Sequence, residues 1–416
     1  MRKILFLATH PNQTNGYAKV ANKITNYLSE FYKIYYFGFS NYNDAYVPRV
    51  INSNIEIIDV VSEEKIRGFQ DSFGVDIIEE YVKEIDPDII ILYNDIIVTC
   101  RHLNVLNKLR ENRFIDGVLI PKLNFKFVSY LDLVYDYERP YYIDYVSKSS
   151  DMIMVFSEYW KKNLIKMGVG ESKLKVIPHG FNEDKFFKLD KNDAKIHFNL
   201  NKDDFIILNA NRNSYRKAND ITINSFIKFL KMNDMNPKLK LMLHCDLDVG
   251  SGYNLFEVIR IECWKENADF EKVANHHIIQ VANKRISDEE INILYNACDM
   301  GINTCIGEGF GLCSFEHVVL GKPQAVSRVG AHNDIFNGYD EFLVTPSVEL
   351  NISAHTDAHC GTVYVCKSKD FAEKINSIYN FYKKYEIIAN NCGKSIKERY
   401  NWDNILKSMK ECLEMF

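Results

Sequence analysis

Two glutamates that bracket a short glycine-containing turn are the residues whose types and spacing point most directly to chemistry. The segment reads Glu308-Gly-Phe-Gly-Leu-Cys-Ser-Phe-Glu316. Paired carboxylates often do acid–base work, as in glycoside hydrolysis. Their placement argues for another role, because an apolar run from Met300 to Thr304 precedes them and a helical period follows. The pattern therefore predicts a strand-to-helix turn, where a ligand can meet the first amides of a helix.

The predicted helix start gives each residue type in this segment a purpose. Free N–H groups and the positive end of the helix dipole favour a phosphate. Gly309 and Gly311 lack a Cβ, so a ligand can approach the backbone closely. Glu308 can accept hydrogen bonds from sugar hydroxyls, and Glu316, about one helical turn in, can reach a ribose diol. A sugar nucleotide satisfies all of these features, whereas the simpler interpretation is a turn with two solvated glutamates.

The complete spacing resembles a known family. Glu308, the Gly-Phe-Gly insert and Glu316 are similar to the motif of glycosyltransferase family 4, retaining enzymes with the two-domain GT-B fold. Val176-Ile-Pro-His-Gly180, the segment from Ile286 to Asp299 and Arg399-Tyr-Asn-Trp402 extend the resemblance over most of the chain. It implies transfer of a hexosyl group, with retention, from a nucleoside-diphosphate sugar to a hydroxyl of a glycan or glycoconjugate.

The resemblance also implies which cations hold the donor pyrophosphate. Arg212 and Lys217 follow a predicted strand from Phe205 to Ala210 and match the family's pyrophosphate-binding positions, with Arg216 as a neighbour whose role stays open. Two fixed cations can stabilise a departing diphosphate without a metal. We therefore expect no metal and no cofactor besides the donor itself.

Further donor contacts follow from the same resemblance. The loop Asn283-Lys284-Arg285 matches the segment that holds the base, and the amides from Phe310 to Leu312 are expected to contact phosphate or sugar. Because the family's base contacts are often made by the backbone, the side chains in these segments identify the base poorly. GDP-mannose is our first expectation for the donor and UDP-glucose the second.

The acceptor side is less defined. Pro11-Asn-Gln-Thr-Asn15-Gly16 resembles the family's glycine-rich loop, and ligand contact at Gly16 or an ordinary helix cap are equally open. Many family members carry a His near the reacting sugar, but Leu131 stands at that position here. Asp132 is expected to take part instead, with Tyr130 as the other polar group available.

Two other classes of function remain open on the same scaffold. One is an enzyme of another kind, such as a sugar-nucleotide epimerase or a phosphorylase-like protein. An epimerase would convert the donor without any acceptor. The other is a non-catalytic sugar-nucleotide-binding protein, which would bind the donor without turnover.

Alternating apolar runs and helical-period segments must position these residues. A chain of 416 residues favours two domains. We predict an α/β protein, GT-B by resemblance, with two doubly wound Rossmann-like domains and a central cleft. The acceptor-side domain should span 1–182, the nucleotide-sugar-binding domain 183–384, and helices in 385–416 should cross back. Predicted elements of the first domain include strands from Ile55 to Val61 and from Val118 to Leu123, and a helix from Phe73 to Ile85.

Composition excludes several partners. A formal charge of −5 without basic runs argues against nucleic acid. No apolar stretch is long enough for a transmembrane segment. Weak association with a membrane surface stays open. Ten cysteines without a C-x-x-C pair favour a reduced, cytoplasmic protein, and no ligand cluster has the spacing of a metal site. The oligomeric state is not determined by the sequence.

Overall fold

A computed structural model describes the whole chain except residues 43–48, 70, 116–117, 251, 282–285 and 354–358. The chain divides into two compact units. Unit 1 comprises Met1–His179, Ser353–Gly361 and Trp402–Phe416, and unit 2 comprises Gly180–Ile352 and Thr362–Asn401. The last segment of unit 1 therefore begins at Trp402, after a helix that belongs to unit 2.

Unit 1 begins with alternating strands and helices. Its strands are β1 (Lys3–Thr9), β2 (Lys33–Phe39), β3 (Ile55–Asp59), β4 (Ile89–Asp95), β5 (Arg113–Ile115), β6 (Val118–Ile120), β7 (Lys126–Asp132), β8 (Met152–Val155) and β9 (Leu174–Val176). Its first six helices are α1 (Gly16–Leu28), α2 (Val60–Arg67), α3 (Ile78–Ile85), α4 (Ile96–Leu109), α5 (Pro140–Ser149) and α6 (Glu158–Lys166).

Seven of these strands form one parallel sheet in the order β3-β2-β1-β4-β7-β8-β9. Residues Ile89 to Leu92 of β4 are completely buried, as an apolar run in a covered parallel strand requires. At the end of β4, the Asp95 side chain accepts from the amides of Ile97 and Val98, both at 2.9 Å, and so caps α4. The carboxylate of Asp95 thus lies at the carboxyl edge of the sheet.

Two predicted strands of unit 1 are wrong in extent. The strand predicted from Val118 to Leu123 is only β6, which pairs antiparallel with β5 outside the main sheet. Val118 and Leu119 are 64% and 51% exposed, whereas the strand in the sheet is β7, with Leu131 buried. The sequence did not predict β7 because the strand contains polar residues. One of them, Ser129, is nevertheless buried, and its hydroxyl pairs with that of Ser150 at 2.7 Å.

The second correction concerns the strand predicted from Ile55 to Val61. It ends at Asp59, whose side chain accepts from the amide of Ser62 at 3.3 Å and caps α2. The valines after Asp59 therefore begin a helix. The helix predicted from Phe73 likewise begins later, at Ile78.

Unit 2 repeats the alternation. Its strands are β10 (Phe205–Asn209), β11 (Leu239–Leu243), β12 (Ile278–Gln280), β13 (Met300–Asn303), β14 (Gln324–Ser327), β15 (Leu343–Val344), β16 (Val348–Ile352) and β17 (Gly361–Val365), the last of which starts in unit 1. Its helices are α7 (Lys191–His197), α8 (Asn219–Met232), α9 (Leu255–Lys265), α10 (Phe270–His276), α11 (Asp288–Ala297), α12 (Leu312–Val319), α13 (His332–Ile335), α14 (Ser368–Asn380) and α15 (Tyr382–Arg399).

The main sheet of unit 2 is parallel, in the order β12-β11-β10-β13-β14-β15. The chain winds outward in one direction from β10 and in the other from β13, so the loops that follow these two strands diverge. Ligands of doubly wound sheets bind at this point, outside the carboxyl ends of the strands. The predicted α/β class with two doubly wound Rossmann-like domains is confirmed.

The chain ends in α16 (Trp402–Leu413), which belongs to unit 1. Together with α14 and α15 it makes the segment after Lys369 mainly helical. Among the described residues, no helix has the length and apolar character needed to cross a membrane.

Candidate functional site

The loops after β10 and β13 are tied together in unit 2. Residues Tyr215–Lys217 form a 3-10 turn after β10. The amide of Ile306 donates to the carbonyl of Arg216 at 3.0 Å, and the Thr304 hydroxyl donates to the carbonyl of Ala218 at 2.8 Å. These bonds hold the two loops in one arrangement at the divergence point of the sheet.

Glu308 lies at the centre of this arrangement. It is 6% exposed and forms ion pairs with Lys217 and, at 3.5 Å, with Arg216. Arg216 also donates to the carbonyl of Gly307 at 2.7 Å. Burial alone would raise the pKa of the Glu308 carboxyl, but Lys217, Arg216 and His332 together hold it well below its usual range. Glu308 is therefore an ionised carboxylate between two cations.

Gly311 begins α12 in a conformation that favours glycine. Its φ is +94°, and a Cβ at this position would lie 2.5 Å from Nε2 of His332. No side chain caps α12 at Gly311. The backbone here is thus built for a close approach, and the first amides of the helix are suited to an anion.

His332 was missed by sequence reasoning. It is buried, and its Nδ1 lies 2.9 Å from the carbonyl of Ser327, so Nδ1 carries the proton. Burial lowers its pKa against the pull of Glu308, which leaves Nε2 as an acceptor beside Gly311. The signal that could have identified His332 is its position in the loop after β14, because β14 lies next to β13 in the sheet.

The second glutamate of the segment lies one turn into α12. Glu316 is buried and accepts a hydrogen bond from the Tyr295 hydroxyl at 3.0 Å. Its carboxylate is thus held in a defined place. The side chain of Phe310, by contrast, packs against Phe315 and Tyr400, with ring centroids 5.0 and 5.9 Å away. At Phe310 the backbone is therefore the part that a donor could contact.

The predicted cations are not all brought together. Lys217 lies at Glu308, and so does Arg216. Arg212 is exposed and forms no ion pair with any described residue. The predicted base-binding residues Asn283, Lys284 and Arg285 lie outside the described residues.

In unit 1, Asp132 has a close partner of the same charge. It ends β7 and is the register partner of Asp95 at the end of β4. The Tyr17 hydroxyl donates to Oδ2 of Asp132 at 2.5 Å. Burial first, and then the two carboxylates, raise the pKa of Tyr17 well above its ordinary value. Two aspartates and a phenol thus form a polar cluster at the carboxyl edge of the unit 1 sheet.

The remaining acceptor-side predictions differ in outcome. Gly16 is the first residue of α1, and the Asn15 side chain caps this helix by accepting from the amide of Ala18 at 3.0 Å, while ligand contact at Gly16 stays a prediction. Leu131 is buried in the core of unit 1. Tyr130 is also buried and donates to the carbonyl of Ile177 at 2.7 Å, so its hydroxyl serves the fold.

Comparison with known proteins gives a relative in sequence and several solved structures of the same fold. No protein-family profile matches the chain. An uncharacterized glycosyltransferase from Methanocaldococcus jannaschii is 25% identical over 242 residues, which are 57% of this chain and 53% of that protein. The match therefore spans about half the length of this relative.

Solved structures match over nearly their whole length. Sucrose-phosphate synthase from Thermosynechococcus elongatus has a TM-score of 0.73 at 16% identity, covering 100% of this chain and 99% of that one. Anabaena HepE in complex with UDP-glucose has a TM-score of 0.69 at 15% identity, and the match covers 100% of both chains. An Escherichia coli trehalose-6-phosphate structure with UDP-2-fluoro glucose bound has a TM-score of 0.68 at 12% identity. The match covers 100% of this chain and 99% of that one. The predicted GT-B fold is confirmed, while membership of family 4 stays a prediction.

Proposed function

We propose that this protein is a retaining glycosyltransferase that moves a hexosyl group from a nucleoside-diphosphate sugar to a hydroxyl of a glycan or glycoconjugate. The observation that carries the proposal is the buried pair of Glu308 and Lys217, with the partly buried Arg216, beside the start of α12, which no side chain caps. A diphosphate fits this place because cations, helix amides and a glycine backbone converge on it. A sugar attached to this diphosphate would contact the carboxylate of Glu308.

Each group then has a task in the reaction. The bond between the anomeric carbon and the diphosphate oxygen breaks, and the acceptor oxygen bonds to that carbon on the same face. The departing diphosphate takes the acceptor proton. Lys217 and Arg216 stabilise the charge that develops on the leaving group, and Glu308 orients the donor sugar through its hydroxyls. Glu316 binds the ribose, since its carboxylate is already fixed by Tyr295.

The donor is proposed from the ligands of similar structures. HepE was solved with UDP-glucose and the Escherichia coli structure with UDP-2-fluoro glucose. UDP-glucose is therefore the first donor to test and GDP-mannose the second. Independence from metal ions and a cytoplasmic location, argued from the sequence, belong to the same proposal.

Donor binding and transfer test the proposal together. A thermal-shift screen with UDP-glucose and GDP-mannose should raise the melting temperature, because a ligand that binds the folded state stabilises it. Transfer of radiolabelled hexose to a sugar panel should follow and should be lost in Glu308→Ala. Lys238→Ala, a change at an exposed cation, is the control. Absence of any shift with both donors, or wild-type transfer by Glu308→Ala, would reject the assignment.

A further inference from the structure

A histidine from late in the sequence is held in unit 1 by a buried carboxylate. Nδ1 of His359 pairs with Oε1 of Glu138, 221 positions earlier in the chain. The Glu138 side chain is 1% exposed, and its Oε2 accepts from the amide of Val134 at 2.9 Å. A buried carboxylate needs such partners.

The backbone around His359 is fitted to the same place. The amide of Arg139 donates to the carbonyl of Cys360 at 3.3 Å. A Cβ on Gly361 would lie 2.6 Å from the carbonyl oxygen of Asp136, so a larger residue would not fit there. The position of the imidazole is thus fixed by main-chain contacts as well as by Glu138.

The second nitrogen of this imidazole remains available. His359 is 33% exposed, and its Nε2 forms no hydrogen bond with any described residue. A histidine that served only to neutralise Glu138 would have no need of an accessible Nε2. The accessible nitrogen is the part that a ligand can reach.

Three carboxylates act on the imidazole. Burial lowers the pKa of His359, but the hydrogen bond and charge of Glu138, together with the charges of Asp95 and Asp132, raise it above its ordinary value. Glu138 accepts from the amide of Val134, two residues after the end of β7 at Asp132, so this contact places the imidazole near the strand-end aspartates. In its protonated form the imidazole donates from Nε2 as well as from Nδ1.

We infer that His359, oriented by Glu138, positions the acceptor by donating from Nε2 to an acceptor oxygen beside Asp95 and Asp132, and that this acceptor group is an uncharged polyol. The inference rests on the proposed transferase function. A sugar hydroxyl can accept from Nε2 while a neighbouring hydroxyl donates to an aspartate. A phosphate would instead meet two adjacent carboxylates and be repelled. The site therefore selects neutral sugars over their phosphorylated forms.

The first test uses pairs of acceptors that differ by one phosphate group. Glucose and mannose are compared with their 6-phosphates, with UDP-glucose and GDP-mannose as donors. We expect transfer to the neutral sugar of each pair to be the faster. Faster transfer to the phosphorylated sugar would overturn the inference about acceptor class.

The second test is His359→Gln, whose amide can still donate to Glu138 but does not titrate. We expect the acceptor KM to rise about tenfold, the size of one lost charged hydrogen bond, with an unchanged donor KM. The wild-type acceptor KM should also rise as pH increases through the pKa of His359, and the variant should lack this rise. His276→Gln, at an exposed histidine, is the matched control.

The outcomes separate the two levels of the proposal. Donor shifts and transfer with an unaltered acceptor KM and pH profile in His359→Gln would overturn the role of His359 alone. Absence of donor shifts would reject the proposed function itself. A structural role limited to holding the loop would lower the melting temperature of His359→Gln and leave the pH profile of KM unchanged.

Discussion

Glu308 and Lys217 lie 91 positions apart in the sequence and form a buried ion pair at the start of α12. Each group neutralises the charge of the other. A donor diphosphate would add its own charge next to Lys217 and Arg216, and a donor sugar would add hydroxyls next to Glu308. The pair thus keeps both groups buried and oriented before the donor arrives.

The ion pair predicts a strong energetic coupling. Lys217→Met and Glu308→Gln should each lower the free energy of unfolding by about 3 kcal/mol, because each leaves a buried group without its partner. The double variant should lose less than the sum, as measured by urea denaturation. Lys148→Met, which breaks an exposed pair with Asp144, is the control and should cost under about 1 kcal/mol. Additive losses at Lys217 and Glu308 would contradict the coupling.

Gly311→Ala should damage the donor site through steric contact. The glycine has φ +94°, and the new Cβ would meet His332 at 2.5 Å. Gly168→Ala is the matched control, since Gly168 has φ +91° and nothing within 4 Å. We expect the control to cost about 1–2 kcal/mol of backbone strain. Gly311→Ala should cost more and should abolish the thermal shift with UDP-glucose. Equal losses in both variants would show that the close approach to His332 has no role.

Tyr295→Phe should weaken donor binding without a large loss of stability. Removing the hydroxyl deletes its 3.0 Å hydrogen bond to Glu316, which should cost about 1 kcal/mol of stability. If Glu316 binds the ribose, the donor KM should rise severalfold, with little change in kcat. Tyr130→Phe removes a similarly buried hydroxyl in unit 1 and should leave the donor KM unchanged. The same donor KM in both variants would argue against a ribose-binding Glu316.

The imidazole of His317 should stay neutral in weak acid. Nε2 donates to the carbonyl of Tyr295 at 3.1 Å, and Nδ1 accepts from Gln324 at 3.1 Å. Burial first, and then Lys322, lower its pKa to about 3. Nitrogen-15 spectra should show the neutral Nε2–H tautomer of His317 at pH 5. A protonated His317 at pH 5 would contradict the arrangement.

The same shift has a consequence for stability. Between the ordinary pKa of 6.5 and the folded value of about 3, the unfolded chain binds a proton at His317 that the folded protein does not. The contribution of His317 to the free energy of unfolding is therefore greatest above pH 6.5, and it decreases as the pH falls toward 3. His317→Gln should show a weaker loss of stability over this range in pH-dependent urea denaturation.

Many of these features could be predicted from the sequence. The Gly-Phe-Gly turn, the helix start at Leu312 and the glycine stop at Gly321 depend on local backbone chemistry, which neighbouring residues determine. Apolar runs such as Ile89 to Leu92 likewise predict buried parallel strands. The strand β7 escaped prediction because Ser129, polar in the sequence, is satisfied by Ser150, a contact that local pattern cannot show.

The sequence by itself determined the two doubly wound domains and the segment from Glu308 to Glu316, because alternating periodicity and turn residues act over short distances. The tertiary structure decided which charges meet. It placed Arg216, together with Lys217, at Glu308 and left Arg212 exposed. It also placed His359 on Glu138. These pairings depend on the order of strands in a sheet and on chain segments far apart in sequence, which no spacing along the chain encodes.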